Sequence, residues 1–137
     1  MAKILLMEDD IPFSDVLTAL LTSSNHQVTQ CASATEARTH IEVTEFDLLI
    51  TDILVYQGNS PVPDGGISLI NWLRGPLSSR RERWMRDMPI IAISGAIHKH
   101  GMSDILKLSQ ELGADITLAK PAAPKDLLGA IRRLCPT

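Results

Sequence analysis

The stretch ILLMEDD, residues 4–10, runs through four apolar residues and ends on three consecutive acids, Glu8, Asp9 and Asp10. A short continuous apolar run is typical of a strand that is covered on both faces of a sheet. Adjacent carboxylates repel one another, and burying even one unpaired charge is costly. The stretch therefore predicts a buried first strand whose carboxyl end needs a positive partner.

Four further apolar runs of strand length follow along the chain, separated by helical patterns. The five predicted strands are residues 3–7, 27–31, 46–51, 89–94 and 115–119. The five predicted helices begin around Pro12, after Ser33, after the DGG turn at 64–66, near Ile105 and at Pro124, and the fourth ends at Gly113. This alternation predicts an α/β fold in which a doubly wound parallel sheet has right-handed crossovers.

Length and composition exclude several classes of protein. A chain of 137 residues with 45% hydrophobic content suits one soluble domain over residues 1–137. Its formal charge of −3 gives no case for direct nucleic-acid binding. Cys31 and Cys135 form no metal-ligand spacing, which favours reduced thiols. No apolar run reaches membrane-spanning length, so we expect a cytoplasmic protein without membrane insertion.

Polar side chains follow four of the five predicted strands at the point where each strand ends. The first strand ends at the acids 8–10, the third at Asp52, the fourth at Ser94 and the fifth at Lys120. In doubly wound sheets the functional site lies beyond these carboxyl ends. Any one of these residues could simply cap a helix or form a turn, and we predict the capping role for Asp10. Their coincidence on one edge predicts a functional site.

The chemistry of this edge points to phosphoryl transfer. Carboxylates from neighbouring first and third strands could converge on Mg²⁺, which prefers oxygen ligands and would offset their repulsion. A lysine and a hydroxyl beside them suit an incoming phosphoryl group. An aspartate can act as the nucleophile and form an aspartyl phosphate. Asp52 is the candidate because it follows the central apolar strand.

An ordered set of motifs, LLMEDD, FDLLITD, DGG, IIAISGA and ELGADITLAKP, resembles the receiver domain of two-component response regulators over essentially the whole chain. The resemblance implies a flavodoxin-like (CheY-like) fold with five parallel strands in the order 2-1-3-4-5. It also implies a signalling phosphoacceptor with slow autodephosphorylation rather than a turnover enzyme. The implied partners are a sensor histidine kinase or phosphotransfer protein and a downstream effector protein.

The resemblance assigns a Mg²⁺ site by position. Asp9 resembles the direct Mg²⁺ ligand, and Glu8 resembles the acid that acts mostly through water. Asp52 contributes its carboxylate, and the backbone carbonyl of Leu54 is the implied third protein ligand.

The resemblance also assigns the residues that contact the phosphoryl group. Asp52 resembles the phosphoacceptor, Ser94 the hydroxyl residue that turns toward the phosphoryl group, and Lys120 the lysine that pairs with it. The peptide bond before Pro121 is usually cis in the family, and the low cis penalty before proline makes this plausible.

Several positions depart from the family pattern. The segment 53–63 is longer than the usual short loop and carries Tyr56 where a proline is common. A further extension, PLSSRRERWMRDM, occupies residues 76–88. Thr117 stands where receivers usually carry the switch aromatic, and Ala122 where a Phe often follows the KP pair. These departures place the output surface in question.

The extension at 76–88 contains a basic cluster interrupted by a tryptophan. Its members are Arg80, Arg81, Arg83, Arg86 and Trp84. This composition could dock an acidic partner, but a solvated helix end is the favoured interpretation. Trp84 could equally be an interface anchor or a cover for the sheet edge.

Other functions stay open from sequence alone. A pseudo-receiver that binds proteins without phosphorylation is the main alternative, although the complete set of site residues argues against it. A phosphohydrolase or a flavin-binding flavodoxin-like protein is disfavoured, because the Asp-x-Asp and Gly-rich phosphate-binding patterns are absent. His98 and His100 suggest a solvated turn more than a metal site. No output domain follows in this sequence, so the response passes through a partner unless the chain is a fragment.

Overall fold

The computed structural model describes residues 1–53, 65–94, 107, 110, 113–120 and 122–136, together with the backbone of 55–57 and 60–62. We label the described elements in chain order. They are β1 (Lys3–Met7), α1 (Ile11–Ser23), β2 (Gln27–Cys31), α2 (Ala34–Val43), β3 (Leu48–Asp52), β4 (Val55–Gln57), β5 (Ser60–Val62), α3 (Gly66–Arg74), a 3₁₀ helix (Ser78–Arg80), α4 (Arg83–Asp87), β6 (Ile90–Ser94), β7 (Ile116–Ala119) and α5 (Pro124–Leu134).

Five strands form one parallel sheet in the order β2-β1-β3-β6-β7. Counted within the sheet alone, this is the order 2-1-3-4-5, so the predicted fold class is confirmed. β1 and β2 have the predicted bounds, and each bound of the other three strands lies within two residues of its prediction. The apolar runs located these strands well because both faces of the sheet are covered.

The sheet separates two hydrophobic cores. Successive side chains of a strand point to opposite faces, so Leu5 of β1 packs with α2 and α3, whereas Ile4 packs with α1 and α5. Every residue of β3 and β6 is buried. Each fully buried aliphatic side chain contributes about 1.5–3 kcal/mol relative to an exposed one. The central strands therefore hold the ends of β1, β3 and β6 in a fixed arrangement.

Local signals begin the first two helices as predicted. The carboxylate of Asp10 accepts a hydrogen bond from the Phe13 N–H at 3.1 Å, which confirms Asp10 as the N-cap of α1. The Ser33 hydroxyl accepts a hydrogen bond from the Glu36 N–H at 3.2 Å and so caps α2. The Glu36 carboxylate in turn accepts from the Ala32 N–H at 2.7 Å.

The segment after β3 contains a hairpin that the sequence did not predict. The antiparallel strands β4 and β5 pair Val55 with Val62 and Gln57 with Ser60. We expected only an enlarged loop at 53–63. The pairing places a small two-stranded sheet shortly after Asp52, apart from the main sheet.

The basic cluster at 76–88 is largely solvated as expected, but it is not the end of helix α3. Helix α3 ends at Arg74, and the segment forms a 3₁₀ helix and the separate short helix α4. Trp84 is half-buried against the core on the α2–α3 side, and its Nε1–H donates to the Glu82 carboxylate at 3.0 Å. Arg81 lies over the Trp72 ring at 4.2 Å from the centroid. Arg80, Arg83 and Arg86 are exposed, whereas Arg81 is half-buried.

Arg74 joins the ends of this segment to the sheet. Its guanidinium donates to the carbonyl oxygens of Arg86 and Met88, the latter at 2.6 Å, and pairs with the Asp115 carboxylate at 3.3 Å. Its side chain also lies against Gly113, which has the left-handed φ of 128°. Gly113 is the residue at which the fourth helix was predicted to end. Most of that predicted helix lies outside the described residues, although Lys107 and Gln110 are helical.

Two further expectations concern the cysteines and the membrane. Cys31 is buried, Cys135 is half-buried, and neither forms a disulfide. None of the helices that the structure describes is both long and apolar enough to cross a bilayer.

Candidate functional site

Three carboxyl groups meet at the carboxyl ends of β1 and β3. These strands are parallel neighbours in which Met7 is paired with Thr51, so Glu8 and Asp52 lie side by side immediately beyond that pair. One carboxylate oxygen each from Glu8, Asp9 and Asp52 lies within 4.8 Å of the others. Glu8 is 2% exposed and Asp52 is 7% exposed. The sheet register thus forces like charges together in a place where water screens them poorly.

Lys120 supplies the positive partner that the opening stretch predicts. It follows β7, and its Nζ forms an ion pair with the Glu8 carboxylate and lies 3.4 Å from Asp52 Oδ2. Its Nζ also lies 4.7 Å from the centroid of the Phe13 ring, a favourable cation–π distance. One lysine, placed after the edge strand β7, therefore contacts both the carboxylate that follows β1 and the carboxylate at the end of β3.

Ser94 lies at the same edge, as the last residue of β6. It is 3% exposed, and its carbonyl oxygen accepts a hydrogen bond from the Lys120 N–H at 2.8 Å. The neighbouring pair in the sheet is Ser94 with Ala119. The backbone therefore fixes the spacing between the serine and the lysine that follows β7.

Burial and the charges of neighbouring residues change the pKa values of these groups. Burial, followed by repulsion from Glu8, raises the pKa of Asp52 from its usual 3.8 to about 8, against the opposing attraction of Lys120. Burial also raises the pKa of Glu8, although its contact with Lys120 acts in the other direction. Burial alone would lower the pKa of Lys120, but its pairing with Glu8 and Asp52 outweighs this and raises it. The cluster is short of positive charge without a further cation.

The residues present fit a hard divalent cation. Glu8, Asp9 and Asp52 offer only carboxylate oxygens, which are the ligands that Mg²⁺ prefers, and they outnumber the single ammonium group of Lys120. A 2+ ion at this place would oppose the burial that raises the pKa values of Glu8 and Asp52 and, for Asp52, the repulsion from Glu8. The implied backbone ligand at Leu54 lies outside the described residues.

Gly66 packs closely against the main chain of Asp52, a contact that the sequence did not predict. A Cβ placed on Gly66 would lie 1.9 Å from the carbonyl oxygen of Asp52 and 2.9 Å from the Cα of Ile53. That carbonyl oxygen also accepts a hydrogen bond from the Thr51 hydroxyl at 2.9 Å. The doubled glycine of the DGG turn was the available signal, but it indicates a turn and does not reveal which atoms lie against it.

The structure brings together Glu8, Asp9, Asp52 and Lys120 and places Ser94 on the same edge. The contact between Lys120 and Phe13 was missed, because helical periodicity marks Phe13 only as an apolar residue. Thr117 is half-buried in β7, and Ala122 is half-buried before α5. The remaining residues singled out from the sequence lie outside the described side chains: Tyr56, His98, His100 and Pro121.

The fold, together with the acidic cluster and lysine at the carboxyl ends of its strands, is typical of one class of protein. Comparison of the sequence with known families identifies the same class. The chain belongs to the response regulator receiver domain family, whose sequence model matches residues 4–132. It is 31% identical over 133 residues to the transcriptional regulatory protein GltR of Pseudomonas aeruginosa, covering 96% of this chain and 48% of that protein. The chain thus spans about half the length of this curated relative.

Solved receiver structures share the fold. A response regulator from Chloroflexus aurantiacus superimposes with a TM-score of 0.78 at 24% identity, covering 97% of this chain and 96% of that one. The receiver domain of the sensor histidine kinase PA1611 from Pseudomonas aeruginosa superimposes with a TM-score of 0.75 at 23% identity, covering 97% and 96%. That second structure has a magnesium ion coordinated in its active site cleft.

Proposed function

We propose that this receiver domain acts as a single unit over residues 1–137 and is switched by phosphorylation of Asp52. The carboxylate of Asp52 attacks the phosphorus atom of a phosphohistidine on a sensor kinase or phosphotransfer protein. The P–N bond breaks, the imidazole nitrogen keeps the electron pair, and an aspartyl phosphate remains. The domain is a signalling phosphoacceptor rather than an enzyme that turns over a metabolite.

One observation carries this proposal. Asp52 lies with Glu8 and Asp9 in a cluster no wider than 4.8 Å between ligand atoms, and Lys120 Nζ is 3.4 Å from Asp52 Oδ2. Asp9 and Glu8 flank Asp52 on one side, and Lys120 approaches from the strand beyond β6. A nucleophilic carboxylate with a cation held by the acids on one side and Lys120 on the other would suit the transfer of a phosphoryl group.

Asp9 and Glu8 would hold Mg²⁺ in this proposal, together with Asp52 and the Leu54 carbonyl. When bound, Mg²⁺ would neutralise charge that develops on the phosphoryl oxygens. It would also lower the pKa of Asp52, which the apolar surroundings and Glu8 raise. The magnesium ion in the cleft of the PA1611 receiver domain supports this assignment.

Lys120 and Ser94 would position the phosphoryl group. Lys120 pairs with Glu8 and Asp52 across the site, and this position beside the proposed phosphoacceptor supports a role in binding the phosphoryl oxygens. Ser94 is buried at the end of β6 and is connected to Lys120 through the backbone. Its hydroxyl would bind the phosphoryl group and report its presence along the chain that follows.

The partners follow from this chemistry. Receiver domains pair with histidine kinases, and we propose that a cytoplasmic sensor kinase or phosphotransfer protein phosphorylates this one. A downstream effector protein would read the phosphorylated state. Thr117 in place of the switch aromatic leaves the pseudo-receiver as the second candidate, in which the fold binds partners without phosphorylation.

Intact mass spectrometry tests the phosphoacceptor. Incubation with acetyl phosphate and Mg²⁺ should add one phosphoryl group that hydroxylamine removes, as expected for an acyl phosphate. Asp52→Asn should prevent the addition. Asp10→Asn is the matched control, because Asp10 lies at the same edge but caps α1, a role that asparagine also fills.

Two outcomes would contradict the proposal. Equal modification of Asp52→Asn and the wild type would place the nucleophile elsewhere. A wild type that stays unmodified with acetyl phosphate, with phosphoramidate and with a competent kinase would favour the pseudo-receiver instead.

A further inference from the structure

A basic groove lies on the side of the molecule formed by α2, α3 and the segment that follows α3. Its volume is about 440 Å³. The described residues that line it are Arg38, Ser68, Asn71, Trp72, Pro76, Leu77 and Arg81. None of these residues belongs to the carboxylate cluster at the ends of β1 and β3, so the groove is a separate feature of the fold.

Two arginines converge on one tryptophan in this groove. The guanidinium carbon of Arg81 lies 4.2 Å from the centroid of the Trp72 ring, and that of Arg38 lies 5.8 Å from the same centroid. Arg38 comes from α2, Trp72 from α3 and Arg81 from the end of the 3₁₀ helix. Stacking of a guanidinium on an aromatic ring restricts its motion, so less conformational entropy is lost when it binds a ligand.

Both guanidinium groups keep unused hydrogen-bonding capacity. The Nε atoms of Arg38 and Arg81 are buried, and neither has a hydrogen-bond partner among the residues that the structure describes. Arg38 does use Nη2, which donates to the Ser68 hydroxyl at 2.9 Å. Because both Nε atoms are shielded from solvent, an anion in the groove would bind the two guanidinium groups through their Nη donors.

The remaining lining determines what kind of anion fits. Neither Asp nor Glu occurs among the described lining residues, so the two arginines face no competing carboxylate. Pro76 and Leu77 form an apolar wall, and Leu77 is 57% exposed although it is a large hydrophobic residue. An anionic group with an apolar neighbour would satisfy both parts of the groove.

We propose that this groove docks an acidic peptide segment of a partner protein. A glutamate or aspartate of the peptide pairs with Arg38 and Arg81, and a neighbouring aliphatic side chain packs on Leu77. Small-molecule sites usually enclose most of their ligand, whereas here an exposed leucine forms the wall of the groove. Arginine and tryptophan are also the residues that most often dominate protein–protein binding energy.

The interaction can be measured by NMR on the ¹⁵N-labelled protein. The probe is an acetylated and amidated hexapeptide of sequence Glu-Leu-Glu-Glu-Leu-Glu, and the same peptide with lysine for each glutamate is the control. The acidic peptide should shift the Trp72 indole N–H and the Arg38 and Arg81 Nε–H signals in a saturable manner. The lysine peptide should shift none of them.

Matched variants locate the binding. Arg81→Gln should weaken binding of the acidic peptide by at least about tenfold, which is the size of one charge-assisted hydrogen bond. Arg80→Gln removes the same charge from an exposed neighbour outside the groove and should change affinity less than about twofold. Leu77→Ser should weaken binding while leaving every arginine in place. Asp52→Asn should bind the peptide like the wild type, which separates this result from the fate of the phosphoacceptor proposal.

Three results would overturn the proposal. The first is the absence of a saturable shift at the groove with the acidic peptide. The second is an equal loss of affinity in Arg80→Gln and Arg81→Gln, which would indicate only non-specific attraction. The third is a response of the same signals to inorganic phosphate or ATP but not to the peptide, which would make the groove a small-anion site.

Discussion

Replacing Asp52 by asparagine should make the metal-free protein more stable at pH 8. The substitution removes one buried negative charge and keeps the shape of the side chain. In the folded protein that charge is 7% exposed and lies beside Glu8 and Asp9. Lys120 is its ionic partner and is shared with Glu8. Asparagine therefore removes more repulsion than attraction.

The size and sign of the effect follow from the pKa of Asp52. Folding raises this carboxyl pKa from 3.8 to about 8, so the folded protein favours the protonated form of Asp52. The stability that comes from this preference is fully present below pH 4 and is lost as the pH rises to 8. At about 1.4 kcal/mol per pKa unit, the ionised Asp52 costs at most about 5 kcal/mol at pH 8. Glu8 and Asp52 titrate as a pair, and Glu8 remains in the variant, so we expect a gain of about 2–4 kcal/mol.

Urea denaturation in EDTA measures this gain. The advantage of Asp52→Asn should be largest at pH 8 and less than half as large at pH 5, where Asp52 of the wild type is mostly protonated. Asp10→Asn should change the free energy of unfolding by less than about 0.5 kcal/mol at either pH, because asparagine caps a helix as well as aspartate does. Added Mg²⁺ should stabilise the wild type more than Asp52→Asn and so narrow the difference.

Two results would refute this reasoning. If Asp52→Asn is no more stable than the wild type at pH 8, burial and repulsion do not dominate at this site. If the gain is the same at pH 5 and pH 8, its cause is not the ionisation of Asp52.

Three further predictions test other parts of the structure. Lys120→Ala should still bind Mg²⁺, and bind it more tightly by calorimetry because a competing cation is gone, but it should incorporate less phosphoryl group from acetyl phosphate. Gly66→Ala should lower the free energy of unfolding by about 1–3 kcal/mol, because the new Cβ would lie 1.9 Å from a main-chain oxygen of β3. Gly129→Ala in α5 is the control: its Cβ would have no neighbour within 4 Å, so it should raise the free energy of unfolding by about 0.5–1 kcal/mol. Iodoacetamide at pH 8 should label Cys135 in the native protein but label Cys31 only in urea, as measured by peptide mapping. The reason is that burial, with Glu36 adding to it, raises the pKa of the Cys31 thiol to about 12. Rapid labelling of Cys31 in the native protein would contradict that burial.

The sequence predicts the main sheet because its strands are buried on both faces. Such strands appear as continuous apolar runs, and the polar residues at their ends must then share one edge. Glu8, Asp52 and Lys120 each follow or end such an apolar run, as Glu8 does in residues 4–10. Their positions at this edge were therefore predictable from the sequence. The N-cap at Asp10 was equally predictable, because the residues that determine it are close together along the chain.

The sequence does not reveal features that depend on contacts between distant segments. The hairpin of β4 and β5 is only three residues per strand and contains Pro61, so it has no periodic signal. Helix α4 has five residues, and its position depends on Trp84 packing against the core and on Arg74 binding the carbonyl oxygens of Arg86 and Met88. The contact of Gly66 with β3 is likewise invisible until the fold is known.

The close approach of Gly66 to Asp52 gives helix α3 the character of a lever. Its first residue touches the main chain of the proposed phosphoacceptor, and the Ile67 N–H donates to the Ile53 carbonyl at 3.2 Å, so this end serves as the fulcrum. The helix has nine residues and is therefore about 13 Å long. A tilt of about 5° at the fulcrum moves the far end by about 1 Å. Trp72, near that far end, carries any such displacement directly into the basic groove.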